Sequence, residues 1–460
     1  MIGRPLASSA LAALVLLAPL SATVDAPGVL PVTASAPAAP APAAPEPPPV
    51  DMSLLPADSP PTPASGTRWT TRCAEPKHPP ATASRAAPLL WGNQLFQLPR
   101  LWRDVLGRGR GVTLAVIDTG VARHPLLTAR LRPGGDYVGN ASGLEDCDGH
   151  GTAVAGIAAA EPDPATGFSG VAPGATVLAI RQTSPSFTVR QPDGHQVSAG
   201  DTTTLARAVV HAVRLGADVI NLSVVNCARP GPAAGPTALQ AAVHFAMEHN
   251  VVVVAAAGNA GSGACPERAD NATVVLPGWY DADVLTVGAT VPSGASANFS
   301  YPGPWVDVAA PGYRLLSLAV SGPGLTDRVS DPVDAGGGQL GHLDGTSFAA
   351  PSVAGLAVLI RARYPDLTAR QVVDRITATA RGASSRGWTV GYGVIDPVAA
   401  LERLPAVLPP PSATPEGTGQ LATAPPTQNR GNLLALYGGI LALLAMLAAT
   451  SAAITKSRSH

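Results

Sequence analysis

Short apolar runs alternate along the chain with stretches of helical period. The runs at residues 112–117, 177–180, 219–225, 251–257 and 284–287 hold almost no polar residue, the pattern of strands covered on both faces. In residues 203–215, Leu205, Ala208, Val209 and Ala212 fall on one side and Arg207, His211 and Arg214 on the other. This predicts an amphipathic helix with His211 in solvent. Thr368 and Gln371 have the spacing of a capping box and open a late helix that runs to about Thr379. Such alternation predicts an α/β fold on a mainly parallel sheet flanked by helices. Roughly 20 residues separate the second run from the first helix, more than an ordinary connection. With Pro192-Asp193-Gly194 among them, they predict an inserted surface loop or hairpin.

The two ends have a different pattern. Residues 1–26 carry Arg4, an apolar run over 10–20 and small residues at Ala22 and Ala26, as a signal peptide does. Residues 433–454 hold no charge, and at ~1.5 Å per residue a helix there reaches about 33 Å, enough to cross a membrane. Lys456 and Arg458 follow it, which predicts a single-pass protein with residues 455–460 cytoplasmic and everything before the helix outside. Ala and Pro dominate residues 27–66, predicting a disordered linker, and residues 404–431 read as a Pro-rich stalk. The folded part is then an N-terminal extension, 67–108, packing on a main domain, 109–403.

Composition narrows the partners. The formal net charge of 460 residues is -1, and no run of like charges marks a nucleic-acid partner. Cys73, Cys147, Cys227 and Cys265 belong to an exported chain, so two disulfides are expected, with three pairings open. No Cys-x-x-Cys pair or zinc-like His spacing occurs. No metal or cofactor is called for.

Three motifs carry chemistry: Asp118-Thr119-Gly120 at the end of a strand, His150-Gly151-Thr152 at the start of a helical run, and Gly345-Thr346-Ser347 before another. A serine hydroxyl becomes a useful nucleophile when an imidazole takes its proton and a carboxylate holds that imidazole in the right tautomer. The motifs and their order resemble the subtilisin-like serine peptidases over residues 109–400. The resemblance implies the subtilisin-like fold, protein or peptide substrates, and Asp118, His150 and Ser347 as catalytic residues. It implies Asn259, after Ala256-Ala257-Gly258, as an oxyanion-hole donor, and a substrate lying between strands at 221–225 and 255–258. Ser223, Val224, Ala256, Ala257 and Gly258 are then substrate-binding residues. Where many of the family have Leu-Gly-Gly after the serine of the first strand, this chain has Ser223-Val224-Val225, and the added side chains should narrow the pocket.

Cys227 and Cys265 follow the two strands proposed to flank the substrate, so Cys227–Cys265 is the expected bridge there. Cys73–Cys147 would fasten the extension near His150 as a strap rather than a removable inhibitor. Signal peptide, extension, four cysteines, stalk and membrane helix together resemble the mycosin branch, which implies a place beside type VII secretion machines at the cell membrane. A mainly structural role in such a complex, with incidental proteolysis, and an unrelated membrane-bound subtilase are the alternatives. An esterase is disfavoured, because Ser347 lacks a Gly-x-Ser-x-Gly elbow.

Overall fold

The structure, a computed structural model, describes residues 45–402 except 72, 74–85, 106, 231–234, 236 and 331–339, all within the compact unit formed by residues 42–460. The expected signal peptide, stalk and membrane helix lie outside the described residues. Among the described residues no helix is long and apolar enough to cross a membrane.

Nine strands form the main sheet: β1 (Thr113–Asp118), β2 (Leu131–Asp136), β3 (Thr176–Arg181), β4 (Val219–Leu222), β5 (Val252–Ala256), β6 (Leu285–Thr290), β7 (Val308–Pro311), β8 (Arg381–Gly387) and β9 (Gly391–Val394). Their order is β8-β9-β7-β6-β5-β4-β1-β3-β2. Every neighbouring pair is parallel except the antiparallel β8–β9. The chain order reverses direction at β1, and an open α/β sheet places its site beyond the carboxyl ends of the strands at such a point.

The unbroken apolar runs follow from burial on both faces. Along β1, Leu114 and Val116 enter one core while Ala115 and Ile117 enter the other. On β5, Val252 and Val254 alternate with Val253 and Ala255 in the same way. Eight helices accompany the sheet among the described residues: α1 (Trp91–Phe96), α2 (Leu98–Asp104), α3 (His150–Ala159), α4 (Thr202–Arg214), α5 (Ala238–Glu248), α6 (Thr346–Arg363), α7 (Ala369–Thr379) and α8 (Pro397–Glu402). The first core takes side chains from α3 and α6, the second from α4 and α5. Helix α6 is buried from Thr346 to Arg361, as a helix apolar on all sides must be. The expected capping box at Thr368 and Gln371 starts α7, and Asp201 with Thr204 forms another on α4. Each is worth about 1 kcal/mol.

Several elements differ from the pattern. Strand β2, Leu-Arg-Pro-Gly-Gly-Asp, has no apolar run, which an edge strand does not need. Strand β4 stops at Leu222 because the chain then leaves the sheet, and Asn226–Ala228 pairs antiparallel with Val274–Leu276. The insertion is an antiparallel hairpin, Ser184–Arg190 against Gln196–Ala199, with Gly194 at φ +91° near its turn.

The largest correction concerns residues 45–66, expected to belong to a disordered linker. They lie over the α4–α5 layer, where Trp279 Nε1–H donates to Pro45 O and Gln240 Nε2–H to Pro48 O, each at 2.6 Å. Proline has no N–H, but its carbonyl still accepts, so a Pro-rich segment can be pinned without contributing to a core. This segment also corrects His211. Its Nδ1 lies 2.9 Å from Asp58 Oδ1 and its side chain is 15% exposed, so His211 is covered rather than solvated, while Arg214 on the same face stays exposed. Downstream, Phe96, Leu98, Leu101 and Val105 carry the extension into the first core.

Candidate active site

Asp118 closes β1 and is fully buried, and its Oδ1 accepts the Thr119 N–H at 2.8 Å. Two glycines let the next segments approach it. Gly120 has φ +100°, and a Cβ there would stand 2.0 Å from Glu145 O. A Cβ on Gly151 would stand 2.1 Å from Gly120 O and 3.1 Å from Asp118 Oδ1. The glycines of both motifs therefore bring the start of α3 against the end of β1. As a result His150 Nδ1 lies 2.7 Å from Asp118 Oδ1, and His150 Nε2 lies 3.0 Å from Ser347 Oγ. The Phe348 ring, 5.0 Å from the imidazole between centroids, packs against it.

Ser347 is the second residue of α6, so its N–H is one of the first four with no partner inside the helix. Pro351 sits within that helix and has no N–H for the Ser347 carbonyl. Ser223 Oγ–H donates to that carbonyl instead, at 2.7 Å. Asn259 is oriented by the same helix start, its Oδ1 accepting from Thr346 N–H and Thr346 Oγ–H, each at 3.0 Å. This leaves its Nδ2 facing the serine. A Cβ on Gly345 would lie 3.0 Å from Ser347 Oγ and 3.2 Å from Asn259 Nδ2, so both border one small space.

The neighbouring strands β4 and β5 pair with Leu222 opposite Ala255, which sets Ser223 and Val224 beside Ala256, Ala257 and Gly258. Gly258, at φ +93°, donates its N–H to Thr346 Oγ1 at 3.1 Å. All five expected pocket residues thus gather at the carboxyl edge of the sheet. Val224 is partly exposed there and Ser223 buried.

Residues 109–394 match the family model described as "Subtilase family" (Peptidase_S8). The chain belongs to the subtilase family. As a subtilase it is a serine endopeptidase, and its similarities point to the mycosin branch. It is 42% identical over 435 residues to Mycosin-4 of Mycobacterium tuberculosis, covering 89% of this chain and 91% of that protein. The structure of the serine protease MycP1, an essential component of the type VII (ESX-1) secretion system, shares 39% identity at TM-score 0.67, covering 78% of this chain and 100% of that one. A chain from the periplasmic assembly of the ESX-5 inner membrane complex shares 38% identity at TM-score 0.70, covering 83% and 98%.

Two functional neighbours escape sequence reasoning. Asp146 and Asp148 flank Cys147 just before His150 of this subtilase. Asp148 is buried and accepts from Ser184 Oγ–H, Ser186 Oγ–H and Ser186 N–H, so the inserted hairpin is fastened to the active-site loop. Burial raises its carboxyl above the usual range, against the opposing effect of those bonds. For His150, burial disfavours the imidazolium, but attraction and hydrogen bonding to Asp118, with the charges of Asp146 and Asp148, outweigh it. Its affinity for a proton is raised. The only sequence clue was two carboxylates within four residues of the histidine. Cysteines pair as Cys73–Cys147 and Cys227–Cys265, with Cα atoms 4.4 and 4.9 Å apart. The first joins the extension to the loop that carries both aspartates. The second joins the segments that follow β4 and β5.

Proposed function

We propose that Asp118, His150 and Ser347 are the catalytic triad of this subtilase, with Asn259 and the Ser347 N–H as its oxyanion hole. The observation that carries this reading is the unbroken line from Asp118 through His150 to Ser347. As Ser347 Oγ attacks the scissile carbonyl carbon, His150 Nε2 takes the hydroxyl proton, and buried Asp118 holds the Nδ1–H and the imidazolium that forms. The carbonyl oxygen becomes an oxyanion facing Asn259 Nδ2 and the N-terminus of α6, where aligned peptide dipoles favour negative charge. His150 then returns the proton to the leaving amine, the C–N bond breaks, and an acyl-Ser347 remains. Water, deprotonated by His150, releases it. Replacing Ser347 by Ala tests this reading: hydrolysis of a peptide substrate is expected to vanish with the melting temperature unchanged.

Ser223, Val224, Ala256, Ala257 and Gly258 would line the cleft for an extended protein or peptide segment. Val225 adds bulk where a glycine is common, so small side chains should be preferred on the amino side of the scissile bond. A matched pair of fluorogenic peptides, Ala against Phe at that position, tests this, and faster cleavage of the Phe peptide refutes it.

Residues 433–454 would anchor the enzyme in the cell membrane with the peptidase domain on the extracytoplasmic side. The similarity to a chain of an ESX-5 membrane assembly supports a place in a type VII secretion complex, where the enzyme would process exported proteins, stabilise the complex, or both. Deleting residues 432–460 should move the protein from the membrane to the soluble fraction. Unchanged membrane retention would refute the anchor.

A further inference from the structure

Asp146 stands outside the proposed triad but holds both ends of its acid–base pair. Its Oδ1 accepts from Thr119 Oγ–H at 2.9 Å, Gly149 N–H at 2.8 Å and Asp148 N–H at 3.1 Å. Its Oδ2 accepts from Thr152 Oγ–H at 2.6 Å and Thr152 N–H at 2.9 Å. Thr119 Oγ1 accepts in turn from Gly151 N–H at 2.9 Å, and Thr152 Oγ1 from Ala122 N–H at 2.9 Å. The peptide N–H groups of Gly149 and Gly151, on either side of His150, therefore both end in this one network. So does the side chain of the residue that follows Asp118.

Resting on the triad assignment above, we propose that Asp146 is a positioning residue of the peptidase reaction, setting the Asp118–His150 spacing through Thr119 and the first turn of α3. The space supports this. The close approach at Gly151 and Gly120 leaves no slack between strand and helix, so the bridging carboxylate is what fixes how His150 meets Asp118. The network also diverts the Thr119 hydroxyl away from Asp118. Asp118 Oδ2 is buried without a hydrogen-bond partner among the described residues, so the triad carboxylate turns its one well-bonded oxygen, Oδ1, to His150.

The charged groups facing His150 are Asp118 at the end of β1 and Asp146 and Asp148 in the loop before α3. Asp146 raises the proton affinity of His150 through its charge, and burial lifts its own carboxyl to about 6, opposed by its bonds from Thr152 and Gly149. Removing that charge should move the acid limb of activity to lower pH. A carboxylate serving only to cap α3 would move that limb through the same charge, so a loss of kcat on breaking the Thr119 bridge is what separates the two roles.

The test uses the full-length enzyme in detergent and a peptide substrate. Thr119→Val keeps the side-chain shape and removes the bridge; kcat should fall on the order of 10- to 100-fold, the scale of a small misplacement of reacting groups. KM and the acid limb should stay in place, and Thr119→Ser should restore the rate. Asp146→Asn should lower kcat and shift the acid limb of kcat/KM downward. If Asp146→Asn does not fold, the Thr119 pair decides alone. Wild-type kcat in Thr119→Val, or an unmoved acid limb in folded Asp146→Asn, overturns the proposal. Ser347→Ala and His150→Ala are assayed alongside: activity in either refutes the triad assignment, whereas their inactivity beside a fully active Thr119→Val refutes only the role of Asp146.

Discussion

Replacing Asn259 by Ala removes two separate interactions, and the structure allows them to be told apart. The Nδ2 donor faces Ser347 beside Gly345; losing one oxyanion donor costs ~2.7–4 kcal/mol of transition-state stabilisation, a fall of about 10²- to 10³-fold in kcat. The Oδ1 acceptor holds Thr346 N–H and Oγ–H at the start of α6. Losing that cap costs about 1 kcal/mol of stability, a shift of roughly 2 °C in a domain this large. Asn259→Asp separates the two losses. Its carboxylate keeps both acceptor contacts, offers no donor and places negative charge where the oxyanion develops. The Asp variant should therefore melt near wild type and yet hydrolyse peptides at least as slowly as the Ala variant. The assay pairs kcat with thermal unfolding in one buffer. An Asp variant of near wild-type kcat would show that Asn259 serves α6 alone, and would remove it from the oxyanion hole.

Three further outcomes follow from the geometry. Because the proton affinity of His150 is raised and the base must be neutral, activity should rise with pH through a midpoint above the ordinary imidazole value of about 6.5; a kcat/KM profile with a midpoint below it contradicts the assigned electrostatics. Gly151→Ala places a Cβ 2.1 Å from Gly120 O and should cost about 1–3 kcal/mol of stability along with most of the activity, read by melting and peptide hydrolysis; a fully active variant would show that the two segments can part freely. Replacing Cys227 and Cys265 together by Ser opens a loop with a sequence separation of 38, for which chain entropy gives about 4 kcal/mol, measured by denaturant unfolding.

How far the sequence could be read depended on whether the signal was local. Asp118, His150 and Ser347 each sit in a three-residue motif whose glycines answer to a close approach nearby, so the motifs announce themselves. The strands buried on both faces announce themselves too, because residues 114–117 of β1 and all of β5 face an apolar core. Strand β2 does not, since an edge strand with Pro133 and Gly134 needs no such run. Asp146 was hidden because it lies outside the motifs, and only the fold brings Thr119 of one motif and Thr152 of another onto its carboxylate. The attachment of residues 45–66 was hidden because composition reports what can build a core, whereas this segment is held by the carbonyls of Pro45 and Pro48 and the side chains of Asp58, Ser59 and Thr62.

Active-site labelling tests the central claim most directly. A fluorophosphonate probe reacts with a serine activated by a neighbouring base, and peptide mapping of the labelled full-length protein should find the adduct on Ser347 alone, with labelling lost in Ser347→Ala and strongly slowed in His150→Ala. Stoichiometric labelling of the Ser347→Ala protein at another serine would contradict the account.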